Sequence, residues 1–171
     1  MLGLFRGVVL VAATVTVGLM AGLFYAYASS VMIGLGRASD RTFVEAMQRI
    51  NMAILNGWFF VCFLGALVLT ILAAVLHLSE DRRSVLPWIL AAVVLYGAQL
   101  VITAAVNVPL NNMLDAAGDP RHITDLAAVR EQFEATWVRW NLIRAVTCTA
   151  AFVCLTWALV LYGRLATPGG P

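Results

Sequence analysis

Charged residues cut the chain into four long uncharged windows. No Asp, Glu, Lys or Arg occurs from Gly7 to Gly36, from Ile50 to Ser79, from Ser84 to Leu114 or from Ala145 to Gly163. A helix needs roughly 20 apolar residues to cross the hydrocarbon core, so each window holds one span. A transmembrane barrel would instead read as alternating segments of about 10 residues. Without a closed barrel, the backbone in lipid satisfies itself only as helix. The pattern predicts an all-α, integral membrane, antiparallel four-helix bundle with spans at about 7–35, 58–77, 86–108 and 137–163. Residues 1–166 then form a single domain, and the tail 167–171 is expected to fray.

The connections carry their own signals. From Ser39 to Asn56, Thr42 and Glu45 stand at capping-box spacing, and Asp40 is a second possible cap. Phe43, Met47, Ile50 and Ile54 fall on one face, which predicts an amphipathic helix at the membrane surface. Asn56-Gly57 is a stop-and-turn signal. Pro109 is expected to kink or end span three, and Asn111 to Ile123 reads as a loop. Thr124 or Asp125 can cap the next helix. There Leu126, Val129, Phe133 and Trp137 keep helical spacing, giving span four an extended start. Span one has small residues at every fourth position: Thr14, Gly18, Gly22, Ala26, Ser30 and Gly34. They predict close packing inside one bundle, and the Gly18–Gly22 GxxxG also allows a homodimer.

Composition agrees with the windows. The chain is 62% hydrophobic and 12% charged, against about half and about a quarter in soluble domains. A soluble enzyme, a disordered chain and a nucleic-acid binder are poor fits, and a net charge of +2 is too small for a basic patch. The first window is about twice the 7–15 residues of a signal-peptide core. A retained helix is therefore expected despite the Ala26-Tyr27-Ala28 cleavage-like tripeptide. Cys62, Cys148 and Cys154 lie inside spans and form no CxxC, so they read as small core residues. His77 and His122 read as surface histidines, because a metal site needs several convergent ligands. The expected setting is multi-pass, in the cell membrane. Orientation stays open: six arginines flank the larger loops, while the compact connector with Arg82-Arg83 favours the reverse.

Polar residues at membrane depth cost free energy unless paired, and they often mark function. Gln99, Thr103, Asn107 and Asn111 recur every four residues along span three. Trp137, Trp140, Asn141 and Arg144 share one face of span four, with Arg144 roughly 7–8 Å deeper than Arg139. Gln48 and Asn51 precede span two, and Tyr25, Tyr27, Ser29 and Ser30 end span one. In an antiparallel bundle these groups all meet at one mouth, while the other end is plain. That concentration predicts a polar, aromatic-walled pocket. Arg144 should point into the bundle and hydrogen-bond amide side chains from span three.

The sequence also resembles the anthrone oxygenase family of small four-helix membrane proteins. The residues that carry the likeness are Gly22-Leu-Phe-Tyr-Ala26 with Ser30-Val-Met32, Met47-Gln-Arg-Ile-Asn51, Asn107-Val-Pro-Leu-Asn111, and Trp137-x-x-Trp-Asn141 with Arg144. Asn56-Gly57 departs from the Asn-Pro turn expected there. The resemblance implies oxidation of polycyclic phenolic substrates by O2, anthrone to anthraquinone, without flavin, haem or added reductant. The sequence agrees in lacking a Gly-rich nucleotide fingerprint, a metal-ligand cluster and a cysteine pair. Such chemistry needs donors for an enolate and for reduced oxygen, roles that suit Arg144, Asn107, Asn111 and Asn141. Trp137, Trp140 and Tyr25 would stack on a flat ring system, with Gln48 and Asn51 as further binding groups. The partners implied are a hydrophobic aromatic small molecule, O2 and membrane lipid. Asp115, Glu45, His122 or an amide-held water could each serve as the base. A drug exporter would need a carboxylate inside a span, and a quinone reductase its CxxC; neither is present. The rival reading is a non-catalytic membrane scaffold or assembly protein, held together by the same polar groups without a ligand pocket.

Overall fold

A computed structural model describes residues 1–78 and 84–166. All its regular elements are helical. Helix α1 (Leu2–Ala26) runs through one π-helical turn (Tyr27–Val31) into α2 (Met32–Gly36). Helices α3 (Asp40–Ala53) and α4 (Gly57–Leu76) follow. Helix α5 (Leu86–Ile102) passes through a second π turn (Thr103–Asn107) into α6 (Val108–Ala116), and α7 (Leu126–Ala166) closes the chain. Four helices among the described residues are long and apolar enough to cross a membrane: Leu2–Gly36, Gly57–Leu76, Leu86–Ala116 and Leu126–Leu165. Each packs on two neighbours, in the ring α1–α7–α5–α4. The charged connector around Arg82-Arg83 and the tail from Thr167 lie outside the described residues.

Local chemistry sets the helix ends. Ser39, rather than Thr42 or Asp40, is the cap of α3, its hydroxyl accepting from the Thr42 N–H at 3.3 Å. Asn56 Oδ1 accepts from the Phe59 N–H at 3.0 Å and starts α4, so the stop signal of one helix is the cap of the next. Asp125 Oδ1 accepts from the Ala128 N–H at 2.9 Å at the start of α7. Pro109 neither ends nor breaks span three. It sits in the first turn of α6, just after the π turn, where a missing N–H is tolerated. Residues Asn111 to Ala116, expected in a loop, are therefore helical. The helix stops at Gly118, whose φ of +83° is the left-handed conformation that glycine adopts without strain.

Two cores share the work. The larger fills the bundle with Leu10, Val17, Ala66, Ile89, Tyr96, Cys148 and Leu155. The smaller lies at the mouth, where Phe43, Val44 and Met47 of α3 pack on Leu114, Phe133 and Trp137. The apolar face of α3 is thus buried in protein, because the early turns of α7 rise to meet it. Gln48 Nε2 donates to the carbonyls of Leu114 at 2.8 Å and Gly118 at 2.9 Å. Arg130 donates to the carbonyls of Gly36 at 2.8 Å and Ala38 at 3.0 Å, and pairs with Asp40 and Glu134. Helix α3 is clamped over the bundle as a roof.

The small-residue stripe divides. A Cβ on Gly18 would come within 2.8 Å of the Phe152 ring, so α1 and α7 are close there. Gly22, Ala26, Ser30 and Gly34 instead face outward, which corrects the reading of the whole stripe as internal packing. His77 is also corrected: it is fully buried, with Nδ1 2.7 Å from the Ala73 carbonyl and its ring 5.4 Å from that of Tyr162. That end of the bundle is not plain.

Candidate functional site

The mouth holds a cavity of about 250 Å³ between α3, α4 and the upper parts of the other three spans. This falls just below the ~300–1,000 Å³ of most small-molecule sites, and suits a compact or flat ligand. Its wall is aromatic on the α1 and α4 sides, through Phe24, Tyr27, Phe59, Phe60 and Phe63. Its polar groups come from α3, span three and α7: Asn51, Thr103, Asn107, Asn111, Asn141 and Arg144.

Arg144 defines the floor. It is 6% exposed, and among the described residues no carboxylate pairs with it. Its Nη2 donates to Asn141 Oδ1 at 3.0 Å and its Nη1 to Thr103 Oγ1 at 3.3 Å. The guanidinium carbon lies 4.5 Å from the Phe24 ring centre and 5.4 Å from that of Trp137. Each such ring face is worth about 0.5–2 kcal/mol. The expected partners were amides of span three; the observed ones are a hydroxyl of span three and an amide of α7. Asn111 is taken by Trp137, whose indole N–H donates to Asn111 Oδ1 at 2.8 Å. Asn107 is 1% exposed and its amide N–H reaches the Trp137 carbonyl only at 3.5 Å. Asn141 also donates to the Phe24 carbonyl at 3.2 Å.

Three polar atoms of cavity-lining residues are buried without a hydrogen-bond partner among the described residues: Arg144 Nε, Asn107 Oδ1 and Asn51 Nδ2. A buried unsatisfied group costs about 1–3 kcal/mol. Three around one cavity point to a ligand or water that completes them.

The second π turn explains how the span-three groups stay on one face. At 3.6 residues per turn, positions four apart drift by about 40° per step, so a row from Gln99 to Asn111 would wind off the inner face. The wider turn at Thr103–Asn107 takes up that excess. The row then stays inward from Gln99, fully buried, to Asn111 on the cavity wall.

Two expected residues are placed elsewhere. Tyr25 points outward, 64% exposed, and Tyr27 lines the cavity instead, its ring 5.7 Å from that of Trp137. Residues two apart are about 200° apart on a helix, so only one of the pair can face in. Trp140 is half-buried and does not line the cavity, because it sits about 60° to the side of the stripe that Trp137 begins. Gln48 lines the cavity while its amide secures the roof. Polarity at depth does not mark Phe24 or the α4 phenylalanines; the signals they carry in the sequence are the Gly22-Leu-Phe-Tyr-Ala26 segment and the Phe59-Phe60-x-x-Phe63 run. Of the base candidates, Asp115 lines the cavity. Glu45 pairs with Arg49 at 2.7 Å on the outer surface. His122 is exposed near Asp119, a carboxyl that the Arg121 guanidinium holds well below the usual range. No three His, Cys, Asp or Glu side chains converge as metal ligands among the described residues.

A family model described as anthrone oxygenase matches residues 58–154, more than half of the chain. No curated protein and no solved structure matches it.

Proposed function

The chain belongs to the anthrone oxygenase family, and from that membership and the mouth's geometry we propose that it oxidises a hydrophobic polycyclic or phenolic substrate with O2. On this reading it works in the cell membrane and needs no cofactor, because the substrate supplies the electrons. The observation that carries it is Arg144: a cation buried at the floor of an aromatic-walled cavity, with no carboxylate paired to it among the described residues and its Nε–H without a partner there.

An anthrone carries an acidic CH2 beside its aromatic rings. Asp115 accepts one of its protons, directly or through water, leaving an enolate. Arg144, with Asn107 and Asn141, holds the enolate oxygen and the charge that passes to O2. The carbanion gives its electron pair to O2, forming a C–O bond and a hydroperoxide after protonation. Loss of the second C–H proton then breaks the O–O bond. One oxygen stays as the quinone carbonyl and the other leaves as water, which balances CH2 + O2 against C=O + H2O. Trp137 and Tyr27 supply flat walls for the rings.

Oxygen uptake with 1,8-dihydroxyanthrone tests this. Arg144→Ala and Asn107→Ala should each lower the rate on the order of 100-fold, as loss of an oxyanion donor does, while the protein stays folded. Activity that a chelator abolishes and iron or copper restores would overturn the cofactor-free route. No uptake with any activated phenol would shift the weight to a scaffold role.

A further inference from the structure

We infer that the ligand of this cavity enters sideways from the bilayer, through the seam between α4 and the mouth end of span three. The inference takes from the oxygenase reading only the ligand class, a polycyclic phenol. Helix α4 packs against α1 and α5, whereas the second π turn and α6 pack against α7 and α3. Spans two and three are pinned where the Tyr96 hydroxyl donates to the Phe63 carbonyl at 2.8 Å. Beyond that point toward the mouth, no hydrogen bond joins them among the described residues.

The seam is lined by side chains that belong to both the cavity and the outer surface. Phe60 and Val108 line the cavity and are each 43% exposed, and Met52 and Leu55 at the end of α3 are more so. All four are apolar, as a rim facing lipid tails should be. One and two turns further along the same face of α6 the rim turns polar, at Asn112 and Asp115. A polycyclic phenol is concentrated in the bilayer, as is apolar O2. Moving in past Phe60 and Val108, its rings stay in apolar surroundings until its oxygen reaches Arg144. Entry past Asn112 would require the same rings to cross a polar rim.

Exchange kinetics of 1-hydroxyanthraquinone decide this, with the full chain in phosphatidylcholine vesicles and binding followed by the probe's visible absorption after rapid mixing. Its reacting carbons are already carbonyls, so rates are read without turnover. Val108→Trp and Phe60→Trp should slow association and dissociation together by about tenfold. Val108→Ala and Phe60→Ala should speed both, which keeps the test decisive if a tryptophan disturbs folding. Asn112→Trp should slow both rates less than either seam tryptophan. Unchanged rates in the seam variants, or slowing by Asn112→Trp equal to or greater than theirs, would overturn the route. Gated exchange without oxygen uptake from any phenol would leave the route standing and remove the oxygenase reading. Oxygen uptake with ungated exchange would do the opposite.

Discussion

Arg144 is held by two neutral acceptors and two ring faces, and the energies decide what that means. An arginine at the centre of a membrane helix costs about 2.5–3.5 kcal/mol on insertion scales. Methionine keeps a favourable contact with the Phe24 and Trp137 rings but loses the bonds to Asn141 and Thr103, which costs about 1–3 kcal/mol. The two nearly cancel, so Arg144→Met should shift thermal unfolding in detergent by no more than about 5 °C, while oxygen uptake collapses. A large loss of stability would instead make Arg144 a structural residue. Arg144, Asn141 and Trp137 were legible in the sequence because polarity at depth is conspicuous in an uncharged window. Tyr27 was not, since Tyr25 and Tyr27 are alike until the face is known. Tyr27→Leu should weaken 1-hydroxyanthraquinone binding about fivefold, within the ~0.5–1.5 kcal/mol of an aromatic contact. Tyr25→Leu should leave that titration unchanged.

Among the elements, α3 does the least expected work. Its amphipathic pattern suited lipid or protein equally, and only the rise of α7 above the bundle decided between them. The roof it forms depends on polar ties as much as on Phe43 and Met47. Gln48 satisfies two carbonyls at the end of α6, groups that a helix terminus otherwise leaves unpaired. Gln48→Ala should therefore cost about 1–3 kcal/mol, seen as a lower unfolding midpoint and faster amide exchange in α3. Equal exchange in both proteins would show that the apolar face alone holds the roof. The π turns lie beyond periodicity reasoning, because a strict four-residue repeat reads as a slightly drifting α-helix. Proline gave the wrong stop for a related reason: beside a π turn it opens a new helical segment instead of closing the old one.

At the scale of the whole molecule, antiparallel order brings the four segments of the site to one end. The end of span one, the start of span two, the end of span three and the start of span four must share one end of the bundle. The four uncharged windows made that arrangement legible before any contact was known. The opposite end was misjudged because His77 carries no periodic signal and its burial depends on packing against Tyr162. The same order fixes which surfaces share a side of the membrane. With four crossings, Met1 and Leu165 lie together, and Arg49, Arg121 and Arg139 lie across the bilayer from them. The native Cys62, Cys148 and Cys154 sit within the spans, so replacing them with alanine yields a background for labelling. Single cysteines at Arg49, Arg121 and Arg139 should react with a membrane-impermeant maleimide from one face of sealed, uniformly oriented vesicles. Cysteines at Met1 and Leu165 should react only from the other. A split within either group would mean that one apolar helix does not cross, and the mouth could not then gather its residues from all four.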